Sequence, residues 1–373
     1  MTRRIAFIIP SLDRAGAERQ LALLASHLPR DQFASHVITL TRGGPYEADL
    51  QTAGVPVTHV GKRGKLDWAA YGRLRSALKE IQPSLVHTWL FAANCYGRWA
   101  AHRLGIHPLI ASERCVDQWK SFRHLWIDRF LARRTDAIVV NSPGVRDFYI
   151  GQGIDPAKFV VIPNAVIPAA DPPGTIGREE ACRRLGVPPH SRIIMAVGRL
   201  WPQKRHKDLI WVGQTLARAI DHVVLVIIGD GPQRDTLRRH RDGIADPSRV
   251  LLVGERTDVP QLLPHAELFW NASSFEGQSN AILEAMAAGV PVVATDIPGT
   301  RDLVVHEQTG FLFPVGDVGM LSKFSHRLLT DANLRREMGE RARGRVETEF
   351  TLEQMVGKHV ELYQRLLGGV IGD

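Results

Sequence analysis

The stretch RIIMAVGRLWPQKRHKDLIWVGQTLARAIDHVVLVIIGDGP, Arg192 to Pro232, decides the fold. Two short apolar runs, RIIMAV and HVVLVII, flank a helical segment, and each run ends in a turn containing glycine. Strands apolar on both faces and joined through a helix make βαβ units of a parallel sheet. The pattern continues in RVLLVGER from Arg249, AELFWNAS from Ala266 and VPVVAT from Val290. It also fills the first half, in IAFIIP from Ile5, HVITL from His36, SLVHTW from Ser84, PLIASE from Pro108, AIVVNS from Ala137 and FVVIPNAV from Phe159.

Between the two series lies NAVIPAADPPGTIG, Asn164 to Gly177, whose prolines and glycines continue neither a strand nor a helix. The chain's 373 residues exceed the ~250 to 300 at which a single core stops growing. Two doubly wound α/β domains are predicted, residues 1–165 and 191–351, with residues 166–190 as linker and a short helix from Arg178 to Gly186 within it. A last helix, about 352–367, is free to pack on either domain, a return to the first included. Ligands of such sheets bind beyond the carboxyl ends of the strands, so the cleft between the domains is the expected site.

Hydrophobic residues at 44% and charged residues at 23% exclude a disordered or fibrous chain. The run Ile5 to Pro10 is too short for a signal sequence or a membrane span, and Cys95, Cys115 and Cys182 have neither zinc-site nor disulfide spacing. A cytoplasmic location is expected. The net charge of +8 is uneven: residues 1–165 hold 22 Lys/Arg against 13 Asp/Glu, the remainder 25 against 26. A basic first half suits an anionic partner such as a phosphorylated lipid, a membrane surface or nucleic acid, or is simply a basic surface.

Three turns after strands carry candidate chemistry. In IIPSLDRAGAERQ a helix opens at Gly16, where free amides and the dipole suit a phosphate, although a plain tight turn reads the same way. In VGRLWPQKRHK, Arg199 stands at a strand tip and Lys204 opens the next helix; the two cations suit a diphosphate, or belong to a solvated basic turn. In SSFEGQSNAILEAMAAGVPVVAT, Ser273 to Thr295, a helix is predicted from about Gln278 to Ala288. Glu276 then lies in the loop before the helix and Glu284 inside it. Both can accept hydrogen bonds from vicinal hydroxyls while the amides near Ser279 and Asn280 face a phosphate. The alternative is a solvated helix with an acidic start.

These pieces, AGAE at Ala15, VGRLWPQK at Val197, GDGP at Gly229 and EGQSNAILEAMAAGVPVVAT at Glu276, resemble the retaining glycosyltransferases of family GT4, also called glycosyl transferases group 1. The spacing of two glutamates with seven residues between them is the most specific mark, and LVHTW, NSPGV and VIPNAV match in order. The resemblance implies the GT-B fold, two Rossmann-like domains with parallel sheets facing a cleft. It implies a sugar nucleotide held by the C-terminal domain, with an acceptor on the N-terminal one. By the family pattern Arg199 and Lys204 hold the diphosphate, Glu284 the ribose and Glu276 the sugar, with Gly277, Gln278, Ser279, Asn280 and Gly16 completing the phosphate site. Glu255 and Arg256, in GERTDV, would meet the base, and His87 the sugar and acceptor. Two departures stand out: Ala15 and Arg205 occupy positions where the family often has glycine.

The activity implied is transfer of a hexosyl group, with retention, from a nucleoside diphosphate sugar to a hydroxyl of a glycan or polyprenyl-linked acceptor, in cell-surface polysaccharide or glycolipid synthesis. A UDP-sugar is favoured on family frequency. No cofactor is expected, and the absence of D-x-D fits a metal-independent site. The segment Ser112 to Arg134 mixes Trp119, Phe122, Trp126 and Phe130 with basic residues, which suits peripheral contact with the inner membrane face. Two rival readings are a sugar-nucleotide epimerase of the same architecture and a nucleic-acid-binding protein. The second lacks any recognition motif or aromatic platform, so no nucleic-acid partner is expected.

Overall fold

The computed structural model describes residues 2–64, 66–167 and 175–368. In chain order it runs β1 (Arg3–Ile9), α1 (Gly16–His27), β2 (Phe33–Thr39), α2 (Tyr46–Thr52), β3 (Val57–His59), α3 (Trp68–Ile81), β4 (Leu85–Trp89), α4 (Phe91–Arg103), β5 (Leu109–Glu113), α5 (Phe122–Ala132), β6 (Ala137–Val140), α6 (Pro143–Gly151) and β7 (Phe159–Val161). Then follow α7 (Arg178–Leu185), β8 (Arg192–Val197), α8 (His206–Ala219), β9 (Val223–Ile228), α9 (Arg234–Ile244), β10 (Val250–Gly254), α10 (Val259–Leu262), β11 (Leu268–Asn271), α11 (Asn280–Ala287), β12 (Val292–Thr295), α12 (Pro298–Arg301), β13 (Gly310–Phe313), α13 (Val318–Thr330), α14 (Ala332–Glu349) and α15 (Leu352–Leu366). No helix among the described residues is long and apolar enough to cross a membrane.

The chain divides into two compact units, Met1–Ala165 with Leu352–Asp373, and Val166–Thr351. Each holds one parallel sheet, of order β3-β2-β1-β4-β5-β6-β7 in the first and β10-β9-β8-β11-β12-β13 in the second. The period of two along each strand sorts its side chains onto the two faces. In β1, Ile5, Phe7 and Ile9 pack under α1 and α15, while Ala6 and Ile8 pack under α3 and α4. In β8, Ile193 and Met195 meet α7, α11 and α14, while Ile194 and Ala196 meet α8 and α13. Strand order reverses between β1 and β4 in the first sheet and between β8 and β11 in the second, and such reversals open a crevice at the carboxyl ends of the strands.

Of the segment read as linker, residues 168–174 lie outside the described residues. Its later part forms α7, whose Ala181, Cys182 and Leu185 are buried in the second unit's core. The last helix, α15, buries Met355, Val356, Leu362 and Tyr363 in the first unit.

Candidate active site

In the second unit the crevice between β8 and β11 gathers the turn after β8 and the turn after β11. Beyond Val197 the chain passes Gly198 and the exposed Arg199, makes a tight turn over Pro202–Lys204, and enters α8 through Arg205 at φ 51. That left-handed conformation costs a non-glycine residue roughly 1 kcal/mol, which fits the resemblance's expectation of glycine at this position. The Arg205 guanidinium is held by Asp208 at 2.7 Å. The first residue of α8, His206, is buried and its Nε2 lies 3.3 Å from the Arg199 carbonyl, which ties the strand tip to the helix. Burial pushes the His206 pKa down to about 4, so the ring is neutral and donates to that carbonyl.

The Lys204 stem lies over Gly198, and its ammonium reaches across to the Glu276 carboxylate as an ion pair. The same carboxylate oxygen accepts a hydrogen bond from Ser273 Oγ at 2.7 Å. Backbone and side chains fasten the two turns together: the Gln203 carbonyl accepts from Ser274 N at 2.8 Å and from Ser274 Oγ at 3.1 Å, and Gln203 Nε2 donates to the Phe275 carbonyl at 3.2 Å. Thr295, at the end of β12, donates to the Ser273 carbonyl at 2.6 Å. Behind the loop, Gly299 backs onto Gly277 so closely that a Cβ there would lie 1.9 Å from the Gly277 carbonyl oxygen.

Gly277, Gln278 and Ser279 are buried and lead into α11, which begins at Asn280, two residues later than the sequence pattern predicts. Ser279 has a non-helical backbone and makes no side-chain cap, so its amide neighbours at the helix start carry the positive end of the dipole into the crevice. Glu284 follows one turn into α11 and is half-buried. Lys204 and Glu276 thus meet in front of α11, while the exposed Arg199 lies over the Trp201 ring at 5.5 Å.

Other candidates lie on other elements. Glu255 is exposed beyond β10. Arg256 grips Asp258 through Nε and Nη2, each at 2.7 Å, and donates to the Arg184 carbonyl at 3.1 Å, so its guanidinium fastens the second unit together. Gly16 opens α1 in the first unit, after an extended Ala15 without a side-chain cap. The resemblance sets His87 beside sugar and acceptor, but it is 0% exposed. Its Nδ1 lies 2.7 Å from the Tyr363 hydroxyl and its Nε2 2.8 Å from Ser112 Oγ. Burial holds its pKa well below the usual histidine range. Both ring nitrogens are thus spent on joining β4 to β5 and α15, and the structure assigns it a packing role.

Sequence reasoning missed Ser273, Gln203, Thr295 and His206. None belongs to a motif with its own chemical signature; they act by backbone geometry or by reaching across from another turn. Among the described residues no three His, Cys, Asp or Glu side chains gather as a metal cage.

Residues 14–169 match the family described as Glycosyltransferase Family 4, and residues 177–345 the family described as Glycosyl transferases group 1. A GDP-mannose-dependent alpha-mannosyltransferase of Mycobacterium tuberculosis is 32% identical over 343 residues, 84% of this chain and 82% of that one. The chain belongs to glycosyltransferase family 4. This glycosyltransferase is also 28% identical, over 300 residues, 78% of its length and 77% of the other's, to the UDP-Gal:alpha-D-GlcNAc-diphosphoundecaprenol alpha-1,3-galactosyltransferase of Escherichia coli. Its fold is that of HepE from Anabaena, solved in complex with UDP-glucose, with a TM-score of 0.86 at 23% identity, covering 98% of this chain and 100% of that one. The GT-B architecture of two Rossmann-like domains follows from the sheets and from this likeness.

Proposed function

We propose that this glycosyltransferase moves a hexosyl group, with retention of anomeric configuration, from a nucleoside diphosphate sugar to a hydroxyl of a glycan or polyprenyl-linked acceptor. The observation that carries the reading is the Lys204, Glu276 and Ser273 constellation at the start of α11, in the crevice between β8 and β11. Lys204 and Arg199 supply positive charge for a diphosphate, and the amides of Gly277, Gln278, Ser279 and Asn280 supply donors. Glu276 accepts from sugar hydroxyls and Glu284 from the ribose diol.

In this scheme the bond from the anomeric carbon to the phosphate oxygen breaks with its electron pair going to the diphosphate. The acceptor oxygen bonds to the same face, and its proton passes to the departing phosphate oxygen. The protein's share is electrostatic: Arg199, Lys204 and the helix start stabilise charge as it grows on the leaving group. Two cations and a helix dipole can do this without a metal ion, so turnover is expected to survive chelation by EDTA. A uridine donor is favoured, in keeping with the galactosyltransferase relative named for UDP-Gal and with HepE solved with UDP-glucose.

A lipid-linked acceptor also accounts for an otherwise costly surface. Trp119, Phe122 and Trp126 are exposed on and just before α5. Arg123 lies over the Phe122 ring at 5.7 Å, and the exposed Arg129 and Arg133 continue the same helix. Exposed indoles flanked by arginines suit the headgroup layer of an anionic bilayer. Phe122→Ala with Trp126→Ala should abolish co-sedimentation with phosphatidylglycerol vesicles at low salt.

The central test is nucleotide release and product formation in Arg199→Ala, Lys204→Ala and Glu276→Gln. Wild-type turnover in all three sinks the site assignment. An inverted product by NMR removes the protein from the retaining class.

A further inference from the structure

The neighbours Glu113 and Arg114, at the end of β5, project to opposite faces of the first sheet, as the period of two requires. On the α4 and α5 side every buried charged group has a partner of opposite sign. The Glu113 carboxylate accepts from Asn94 Nδ2 at 2.8 Å and from Lys120 Nζ at 3.2 Å. Lys120, itself buried, also meets Asp128 at 2.8 Å and Asp117 at 3.2 Å.

On the other side Arg114 has no such company. Its side chain is among the buried charged groups at 8% exposed, and its guanidinium lies 4.8 Å over the Trp89 ring. Nη2 donates to Asn164 Oδ1, but Nε and Nη1 have no hydrogen-bond partner. Among the described residues no carboxylate pairs with it, and burial alone pushes its pKa down to about 9. The titratable groups that face it are His87 and His359, both kept neutral by burial and both held down further by this guanidinium. Asn141 Oδ1, Trp89 Nε1 and His359 Nε2 are buried and unpartnered as well. Trp89, Arg114, Asn141 and Asn164 stand at or just past the carboxyl ends of β4, β5, β6 and β7, four adjacent strands, where a doubly wound sheet receives ligands.

A buried cation without a counter-charge destabilises the protein that keeps it, and such uncompensated cost is the mark of a site built for a ligand. We propose that Arg114 is an anion-binding residue of the first unit, taking a phosphate group of a substrate on the edge of its guanidinium that Asn164 leaves open. The flat fork suits two phosphate oxygens, and Trp89 fixes its plane. The phosphate class rests on the reading of a diphosphate-bearing donor or acceptor given above; the site itself rests on the unpaired guanidinium.

The test is calorimetric binding of three probes, UDP, inorganic diphosphate and farnesyl diphosphate, to the full chain and to Arg114→Met and Arg114→Lys. The expected result is binding of inorganic diphosphate weakened about tenfold or more in Arg114→Met, with partial recovery in Arg114→Lys. The ligand-free Arg114→Met protein should melt no lower than wild type, which a merely structural arginine would not allow. A parallel loss for UDP assigns the phosphate to the donor, and a parallel loss for farnesyl diphosphate without one for UDP assigns it to the acceptor. Unchanged affinity for all three probes in a folded variant overturns the proposal, and Arg114→Lys serves if Arg114→Met does not fold. Failure of UDP to bind the wild-type protein would instead strike the roles given to Lys204 and Arg199, leaving the other two probes to decide Arg114.

Discussion

Replacing Glu276 with glutamine should improve nucleotide binding while it damages turnover. In the ligand-free protein Lys204 is paired with Glu276, with only 18% and 11% of the two side chains exposed. A diphosphate that takes Lys204 must therefore displace a carboxylate. At an effective dielectric near 20 a contact pair is worth roughly 4 kcal/mol. Part of that returns when the released carboxylate keeps its bond from Ser273 Oγ and gains water. A net barrier of about 1 to 2 kcal/mol remains, which corresponds to roughly 5- to 30-fold in affinity. Glu276→Gln removes it, so UDP, which lacks the sugar, should bind more tightly by about that factor in titration calorimetry. Turnover of the complete donor should fall by about 100-fold or more, because the amide no longer offers a charged acceptor to the sugar hydroxyls. The affinity gain should shrink in high salt. Weaker UDP binding in the glutamine variant would refute the idea that Lys204 is held back by Glu276.

Three further outcomes are expected. Gly299→Ala places a methyl group 1.9 Å from the Gly277 carbonyl and must push the Glu276 loop aside; turnover should drop at least about tenfold with the thermal transition of the fold retained, as read by steady-state assay and circular dichroism. Stability should fall with acid: His206 and His359 have folded pKa values of about 4 and about 3, below the roughly 6.5 of the unfolded chain, so their contribution is full above pH 6.5 and is lost as pH drops toward 4. Each accounts for about 3 kcal/mol by pH 4, and urea titrations at pH 7 and pH 4 should show His206→Asn flattening the loss. Arg256→Ala should lower the melting temperature by several degrees and leave the preference among uridine and guanosine donors unchanged, because its fork holds Asp258 rather than a base.

The sheets were legible because their strands are buried on both faces and so read as unbroken apolar runs, as in Ile5 to Ile9 and Val223 to Ile228. The Glu276 loop was legible because its residue types are unusual beside a helix of small residues. What stayed hidden depends on partners distant in the chain. A histidine in a strand reads the same whether it faces a ligand or the core; His87 is held inward by Ser112 on the next strand and by Tyr363 at the far end of the sequence. Arg256 looks like a surface cation until Asp258 is seen to fold back on it. The unpaired Arg114 is invisible in the sequence because the adjacent Glu113 suggests a partner that the alternation of the strand sends to the opposite face.

The return of α15 to the first unit has a consequence for how the protein is made. Phe33 and His87 lie against Tyr363, so part of that core stays uncovered until the end of the chain is available. Roughly 190 residues separate β7 from α15, and at ~5 to 20 residues per second the ribosome needs ~10 to 40 s to supply them. During that interval the second unit has all its strands to fold with, while the first waits with an apolar face open. A chaperone that reads exposed apolar surface would meet the earlier-made half later than the order of synthesis suggests.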